Sequence, residues 1–551
     1  MMRVPSALTA LTLLAASVAH GSRGGGNASL SPAAQDLFDY SMAVQDLRFD
    51  EHYSLIWYSD KGPWSVRFSA WYSIGLLKRN QGDDLMQAKA TLRSILACQY
   101  TEDPGTAWFG TFKLSPDEPD PTPNSELYAP EIYGTYDPNW REFVGTTLIQ
   151  AIEEFEHLLG DDLVQDIEKA LVDASVGSMK RNGTYPEDDN LILGYSNPAY
   201  MRAFMVAWTG NRLGNSTLTS FADTQGSLLL ELFAWNGSNT LGEYNAPTYI
   251  GMDIWALSAA LKYAPAKSTI RSTSKYVLTE LWKDVAAHYN GYLKNMVGPY
   301  DRAYTRDMTT HSAILTMWFW AIFGHGYGPQ PPKGEADLLY DVAQGAQIAL
   351  VAEEAAQYMP DDVATQLKGT FTGPDRFLNR SIKEDLTTDY VRVATSWISK
   401  PLMIGAESIA ETENRGDQFV PAIVHWASDP DHKPFPYVGF FSLYPTASTI
   451  DAVAGPGTLS ISYPNRTQEG SDIFTFALSG VAPKWLLEGN RVHGFNNLPC
   501  LAVNVSAPGL DLQPTVYGSQ LRSHLFYNIS YVVPEAFTGV PTVTFGFEYT
   551  C

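Results

Sequence analysis

REFVGTTLIQAIEEFEHLLGDDLVQDIEKALVDASVGS, residues Arg141 to Ser178, holds two helix-length apolar patterns, 141–158 and 161–178. The break between them, Leu159-Gly160, is short enough to make an antiparallel hairpin, and each helix must bury its apolar face on a neighbour. The same signature extends outward in both directions. Helix-length patterns cover 33–46, 64–79, 84–98, 198–213, 217–234, 250–263, 269–289, 308–323 and 336–357, most of them joined by short breaks with Gly, Pro, Asn or Asp. Hairpins in long succession bury their faces on one another. No strict repeat recurs, which disfavours a solenoid of identical units. The pattern predicts a helical domain over 30–390.

From about 395 the period changes. Thr458–Tyr463, Phe474–Leu478, Cys500–Val505 and Val543–Tyr549 alternate or run apolar at strand length between turn residues, which predicts a β-rich C-terminal domain, sandwich-like, over 395–551. The chain of 551 residues has room for both, and 45% apolar residues supply a large core. A net charge of −23 argues against nucleic acid or anionic membranes as partners.

Residues 1–19 read as an export signal. Arg3 precedes an apolar stretch, Ala7 to Ala16, that is too short to span a bilayer, and Ser17-Val18-Ala19 fits a cleavage site after Ala19. Eight Asn-x-Ser/Thr sequons, at Asn27, Asn182, Asn215, Asn236, Asn379, Asn465, Asn504 and Asn528, agree with a secreted, extracellular glycoprotein and predict surface positions. Of three cysteines, Cys500 with Cys551 would tie the C-terminus to its own domain and leave Cys98 buried and free.

The densest chemistry lies in Glu243-Tyr-Asn-Ala-Pro-Thr-Tyr249, a polar loop that leads into an apolar helix. A second cluster, Gly298 to His311, packs Tyr300, Asp301, Arg302, Tyr304, Arg306, Asp307 and His311 together. A helix that began near Asp307 would set Asp307 and His311 on one face, the acid raising the basicity of the imidazole. A third lies where a loop rich in proline and aromatics, 101–139, exits through Tyr136-Asp-Pro-Asn-Trp-Arg-Glu142. There Trp108 and Trp140 offer faces for sugar rings, Asn139 joins that platform, and Arg141 and Glu142 offer polar contacts; a capped helix start explains Asp137, Asn139 and Glu142 equally. Trp57, Trp64 and Trp71, seven apart, are read as core on one helical face. No phosphate loop, His-Glu-x-x-His or Gly-x-Ser-x-Gly motif occurs, and no cofactor or metal centre is predicted, with calcium on loop carboxylates left open.

Helical hairpins followed by a β-rich part resemble the (α/α)-toroid carbohydrate enzymes, both polysaccharide lyases and glycoside hydrolases. The Glu243–Tyr249 element resembles the loop in which heparinase II/III-like and alginate lyases place a catalytic tyrosine. Asn197 in Tyr195-Ser-Asn-Pro-Ala-Tyr200 matches the catalytic Asn those lyases hold earlier in the toroid, with Pro198 where the family usually has His. The resemblance implies a polysaccharide or oligosaccharide substrate and β-elimination at a uronic acid. In that reaction Asn or Arg donors neutralise the carboxylate and a tyrosine or histidine moves the proton. Tyr249, Glu243, Asn197 and His311 are then the catalytic candidates. Arg302, Arg306, Tyr300, Asp301, Tyr244, Asn245, Trp108 and Trp140 are the substrate-binding ones. Hydrolysis, with Glu243 as acid and Asp253, Asp301 or Asp307 as base, is the alternative. A dehydratase or isomerase of a small natural product, or a non-enzymatic glycan-binding protein, stands behind it.

Overall fold

The computed structural model describes residues 29–551 apart from 59–62, 184–188, 304–305, 330–340, 372, 410–418, 448, 467–471 and 522–523. The expected signal 1–19, the sequon at Asn27 and Tyr304 lie outside the described residues. Helices run in the order α1 (Pro32–Asp46), α2 (Val66–Arg79), α3 (Asp84–Ala97), α4 (Trp140–Leu159), α5 (Asp161–Met179), α6 (Ser196–Arg212), α7 (Ser216–Phe233), α8 (Pro247–Tyr263), α9 (Thr269–His288) and α10 (Ala313–Phe323). Three short strands, β1 (Phe49–Asp50), β2 (Leu55–Trp57) and β3 (Trp64–Ser65), form a small sheet before α2, and β4 (Tyr289–Asn290) pairs with β5 (Asn295–Met296) after α9.

Burial separates the helices into two rings. In α6 every residue from Ser196 to Gly210 is buried, in α8 Ile250 to Leu261, and in α10 Ala313 to Ala321. A helix buried all round has to be internal. By contrast α3 buries only a stripe (Ala88, Thr91, Leu92, Ile95), as does α7 (Leu218, Ala222, Gly226, Leu229, Leu232, Phe233). The internal helices pack α2 on α4, α4 on α6, α6 on α8 and α8 on α10, and α1 closes the circle from α10 back to α2. The outer members α3, α5, α7 and α9 each pack on the internal partner that precedes them in the chain. The result is an (α/α) toroid.

The opening stretch shows how the hairpin is made. Gly160 ends α4 and begins α5 at φ 86°, a conformation glycine adopts without a Cβ clash. Ser31, Ser65 and Asn215 cap α1, α2 and α7 with side-chain oxygens that accept from backbone N–H groups of the first turn. A large aliphatic or aromatic side chain fully buried in these rings is worth about 1.5–3 kcal/mol. The apolar stripes therefore outweigh any single cap.

Three helical expectations are corrected. The stretch at 64–79 starts as helix only at Val66, because Trp64 is in β3 and Trp57 in β2; only Trp71 sits on α2, so the three do not share a face. The stretch at 308–323 becomes helical at Ala313. Residues 342–357 form short turns of helix, Val342–Gln344, Gly345–Ala349 and Ala352–Gln357, rather than one rod.

After a helix at Asp361–Lys368 the chain turns to strands, with one short helix, Pro483–Leu487, between β13 and β14: β6 (Arg376–Ile382), β7 (Arg392–Ile398), β8 (Leu402–Ser408), β9 (Ala422–Asp429), β10 (Tyr437–Pro445), β11 (Asp451–Gly455), β12 (Thr458–Ser462), β13 (Ile473–Ser479), β14 (Leu501–Ser506), β15 (Asp511–Leu512), β16 (Val516–Leu521), β17 (His524–Val532) and β18 (Thr542–Tyr549). The large antiparallel sheet runs β15-β17-β13-β10-β9-β8-β7-β6, with β16 beside β17; the small sheet runs β11-β12-β18-β14. Trp426, Phe441, Phe476, Phe495 and Phe545 fill the space between the sheets. The opposite face of the large sheet, through Ile423, Phe440 and Phe526, joins the core of the toroid. β9 is buried on both faces from Ala422 to Ser428, and His425 and Ser428 are the polar residues within that buried run. A Cys500–Cys551 disulfide joins the ends of the paired strands β14 and β18, and Cys98 is buried and free.

Candidate active site

The internal helices run parallel, so their N-termini collect at one end. Contacts between the first residues of neighbouring helices establish this. Asn139, at the start of α4, donates its amide to the hydroxyls of Tyr133 (3.0 Å) and Tyr195 (3.2 Å), and Tyr195 stands at the start of α6. The Tyr195 ring stacks on Tyr249 of α8, with centroids 6.2 Å apart and planes at 23°. Ser196 Oγ donates to Asp253 Oδ2 at 3.1 Å, and Thr248 Oγ1 donates to the carbonyl of His311, just before α10. Each such terminus presents N–H groups without helical partners and the positive end of a helix dipole. Four of these helix starts lie at the same end of the ring.

The loop into α8 is pinned by its own polar groups. Asn245 takes φ 47°, which asparagine tolerates, and its amide donates to the carbonyls of Val297 (2.6 Å) and Pro299 (2.7 Å). Tyr244 is fully buried, its hydroxyl 2.6 Å from His288 Nε2 and its backbone N–H on Asp301 Oδ2. Pro247 then sets the first turn, and Thr248 and Tyr249 emerge half-buried. Glu243 lies below, its side chain 7% exposed, with Arg302 Nε at 3.4 Å; the Arg302 side chain is 30% exposed. Asn197 is buried in the first turn of α6, and its amide nitrogen has no hydrogen-bond partner among the described residues. Deeper still is Asp253, whose carboxyl burial and the nearby Glu243 push well above the usual range.

Behind the α10 terminus is a buried histidine group. His311 packs its ring 4.3 Å from Tyr300, and burial together with His425 lowers it to about 3. His425, on β9, lies 3.1 Å from the Met308 carbonyl and is lowered by burial to about 4. Both are neutral imidazoles at neutral pH. The expected Asp307–His311 pairing is corrected: Asp307 precedes the helix by six residues and engages His524 (3.0 Å) and Thr309 instead.

Several substrate-binding expectations are also corrected, because the groups concerned hold the protein together. Tyr300 is buried with its hydroxyl on the Met296 carbonyl. Asp301 is buried in an ion pair with Arg392 (2.7 Å). Tyr244 and Asn245 are held as described above. Trp140 is core, covered by the Arg67 guanidinium 5.7 Å from its ring. Arg141, also buried, donates to the carbonyls of Ala107, Phe109 and Pro138 and so straps the 101–139 loop to the ring. Glu142 is buried against Ser178 and Arg181. Trp108 is half-buried against Tyr136, and Arg306 is exposed with its guanidinium 4.5 Å over the Tyr444 ring.

The structure also brings in residues to which the sequence assigned no role. Tyr133 comes from the proline-rich loop at φ 62°, and Asn190 donates to its hydroxyl at 2.6 Å. Arg181 holds both Asn139 Oδ1 (2.9 Å) and Asn190 Oδ1 (3.0 Å), which fixes the amide orientations toward the phenols. Tyr195 stood inside a quoted motif; His425 and His524, in strands, carry no local signal.

Among the described residues no helix is long and apolar enough to cross a membrane, and no three His, Cys, Asp or Glu side chains are grouped to hold a metal. No curated protein matches the chain in sequence. Among solved structures, heparinase III is similar at 10% identity and a TM-score of 0.35, over 98% of this chain and 88% of that one. The Streptomyces coelicolor A3 chondroitin AC lyase in complex with chondroitin sulphate is similar at 10% identity and 0.37, over 96% and 80%. Endoglucanase CelQ from Clostridium thermocellum, complexed with cellotriose, is similar at 9% identity and 0.28, over 94% and 92%. At such distances no residue role transfers. Two family models match: residues 374–548 fit the domain of unknown function DUF8770, and residues 35–353, the toroid and more than half of the chain, fit the domain of unknown function DUF8769. The chain belongs to the DUF8769 family.

Proposed function

We propose that the protein is an exported enzyme that cleaves a uronic-acid-containing polysaccharide or oligosaccharide by β-elimination. One observation carries this reading. At the mouth where the helix N-termini gather, the part-exposed groups among the described residues include the phenols Tyr249, Tyr133 and Tyr195 and the guanidinium of Arg302, whereas Glu243, Asp253, Asp301 and Asp307 are buried. Elimination needs donors for a carboxylate and a phenol or imidazole for a proton; hydrolysis needs two carboxyls that reach the bond.

In the proposed reaction Arg302 neutralises the uronate carboxylate, helped by the helix termini, and the buried Asn197 amide supports that face from behind. Neutralisation acidifies the adjacent carbon. Tyr249, acting as the phenolate, takes that proton to become the phenol, the electron pair forms the new C=C bond, and the bond to the glycosidic oxygen breaks. The departing oxygen receives a proton from Tyr249 or Tyr195. Export is supported by the sequons: Asn182, Asn215, Asn236, Asn379, Asn465 and Asn504 are exposed and Asn528 is half-buried.

Hydrolysis keeps one specific argument, the raised Asp253 carboxyl beside Glu243. The test uses purified protein with a panel of acidic and neutral glycans. New ultraviolet absorbance from an unsaturated product is expected; saturated fragments would instead establish hydrolysis, and silence across the panel would remove both. Tyr249→Phe is expected to lower kcat about 10²–10⁴-fold. Asp253→Asn should leave elimination within a few fold, whereas a hydrolase that used Asp253 would lose one of its two carboxyls.

A further inference from the structure

Asn504 is the acceptor of the sequon Asn504-Val505-Ser506 and is exposed on β14, an edge strand of the small sheet. The face on which it stands points away from the core and holds a hollow of about 400 Å³ lined by Val453, Thr458, Ser460, Ser506, Thr544 and Gly546 among others. The register explains why the hollow begins at Asn504. Straight across the four strands, Asn504 is opposite Gly546, Gly546 opposite Thr458, and Thr458 opposite Gly455. Gly546, the direct neighbour, has no side chain, and even a methyl group there would come within 4.0 Å of the Asn504 Cβ. The adjacent row on the same face is Ser506, Thr544, Ser460 and Val453, three hydroxyls ending at an apolar side chain that is 49% exposed.

We propose that Asn504 carries an N-linked glycan whose first sugars lie in this hollow. The inference rests on the export reading and is independent of the catalytic one. Attachment replaces one Nδ2 hydrogen of Asn504 by C1 of the first sugar; the lipid diphosphate of the oligosaccharide donor departs and the hydrogen leaves as a proton. Donor and transferase belong to the export route. The glycine floor admits the flat C–H face of a sugar ring, the Ser and Thr row supplies donors and acceptors for its hydroxyl and acetamido groups, and Val453 is covered at the far end. The occupant is tethered, so its effective concentration at the hollow is in the millimolar range typical of short linkers.

The experiment expresses the full chain through a eukaryotic secretory route. The folded protein is treated with a peptide N-glycosidase, and each site is followed by glycopeptide mass spectrometry. The reference is Asn236, exposed in the turn Trp235–Gly237. The Asn504 glycan is expected to be released on the order of tenfold more slowly than the Asn236 glycan in the folded protein, and equally fast after denaturation. Val453→Trp and, separately, Ser460→Arg fill the hollow from strands that do not pair with β14; either folded variant should keep occupancy and lose the protection. Glycans at other sites but none at Asn504 would overturn this inference alone. Release at the Asn236 rate, or protection unchanged in a filled variant, would do the same. Absence of glycan from every sequon would overturn the export reading and this inference with it.

Discussion

At the residue scale, three side chains show how burial sets protonation. Asp253 is fully buried, and its carboxyl is raised well above its ordinary value by burial and by Glu243. The folded state therefore holds a proton that the unfolded chain releases above pH about 3.8, so the cost to stability grows as pH rises. Asp253→Asn, neutral and nearly isosteric, should raise the urea midpoint at pH 7 and have little effect near pH 3; a lower midpoint at pH 7 contradicts the assignment. His311 and His425 work in the opposite direction. Their folded values of about 3 and about 4 lie below the ordinary 6.5. The unfolded chain takes up protons that the folded one refuses, so their contribution is complete above pH 6.5 and is lost as pH falls toward 4. His311→Phe, which keeps a ring against Tyr300, should shrink the difference between midpoints measured at pH 7 and pH 4.5. An unchanged difference would mean that other groups carry the acid sensitivity.

At the scale of elements, the toroid depends on close approach between internal helices. A Cβ built on Gly251 of α8 would stand 2.6 Å from the backbone nitrogen of Leu315 and 2.7 Å from the carbonyl carbon of Ile314 on α10. Backbone cannot yield as a side-chain tip can, so Gly251→Ala should cost about 1–3 kcal/mol in denaturant unfolding. Because Tyr249 and Thr248 lie one turn away, the same variant should also weaken the Thr248–His311 contact and lower kcat. Retained stability would show that α8 and α10 shift apart readily. The apolar pattern of α8 was legible in the sequence; the side of the helix that meets α10 was not, since a helix buried all round has no polar face to orient it.

At the scale of the whole molecule, Arg392 of β7 joins the two halves. It donates to Asp301 Oδ1 (2.7 Å), Glu407 Oε1 (2.5 Å), Glu384 Oε1 (2.6 Å) and the Gly242 carbonyl (2.5 Å). The strand domain thereby grips the loop that delivers Glu243 and Tyr249. Arg392→Met strands the buried carboxylates of Asp301 and Glu407 and should cost about 3–5 kcal/mol. Calorimetry should show the loss, together with a fall in any activity; a Tm within the error of the parent would argue that water replaces the guanidinium.

The sequence by itself determined the order of elements. Periods of apolar residues are a local property of the chain, so the hairpins on either side of Gly160, the change to strands and the pairing open to Cys500 and Cys551 could be read without a partner in view. It also named Asn197, Glu243, Tyr249, Arg302 and His311, which the structure gathers around one end of the ring. Tertiary structure alone decided which polar groups keep access to that mouth. Tyr300, Asp301, Tyr244, Asn245 and Trp140 are as polar or aromatic as their neighbours on paper, yet they are consumed by contacts with segments up to about ninety residues away, such as Asp301 with Arg392. Tyr133 and His425 enter only because a strapped loop and a strand meet the helix ends in space. Exposure and pairing are properties of the whole packing, and no local pattern encodes them.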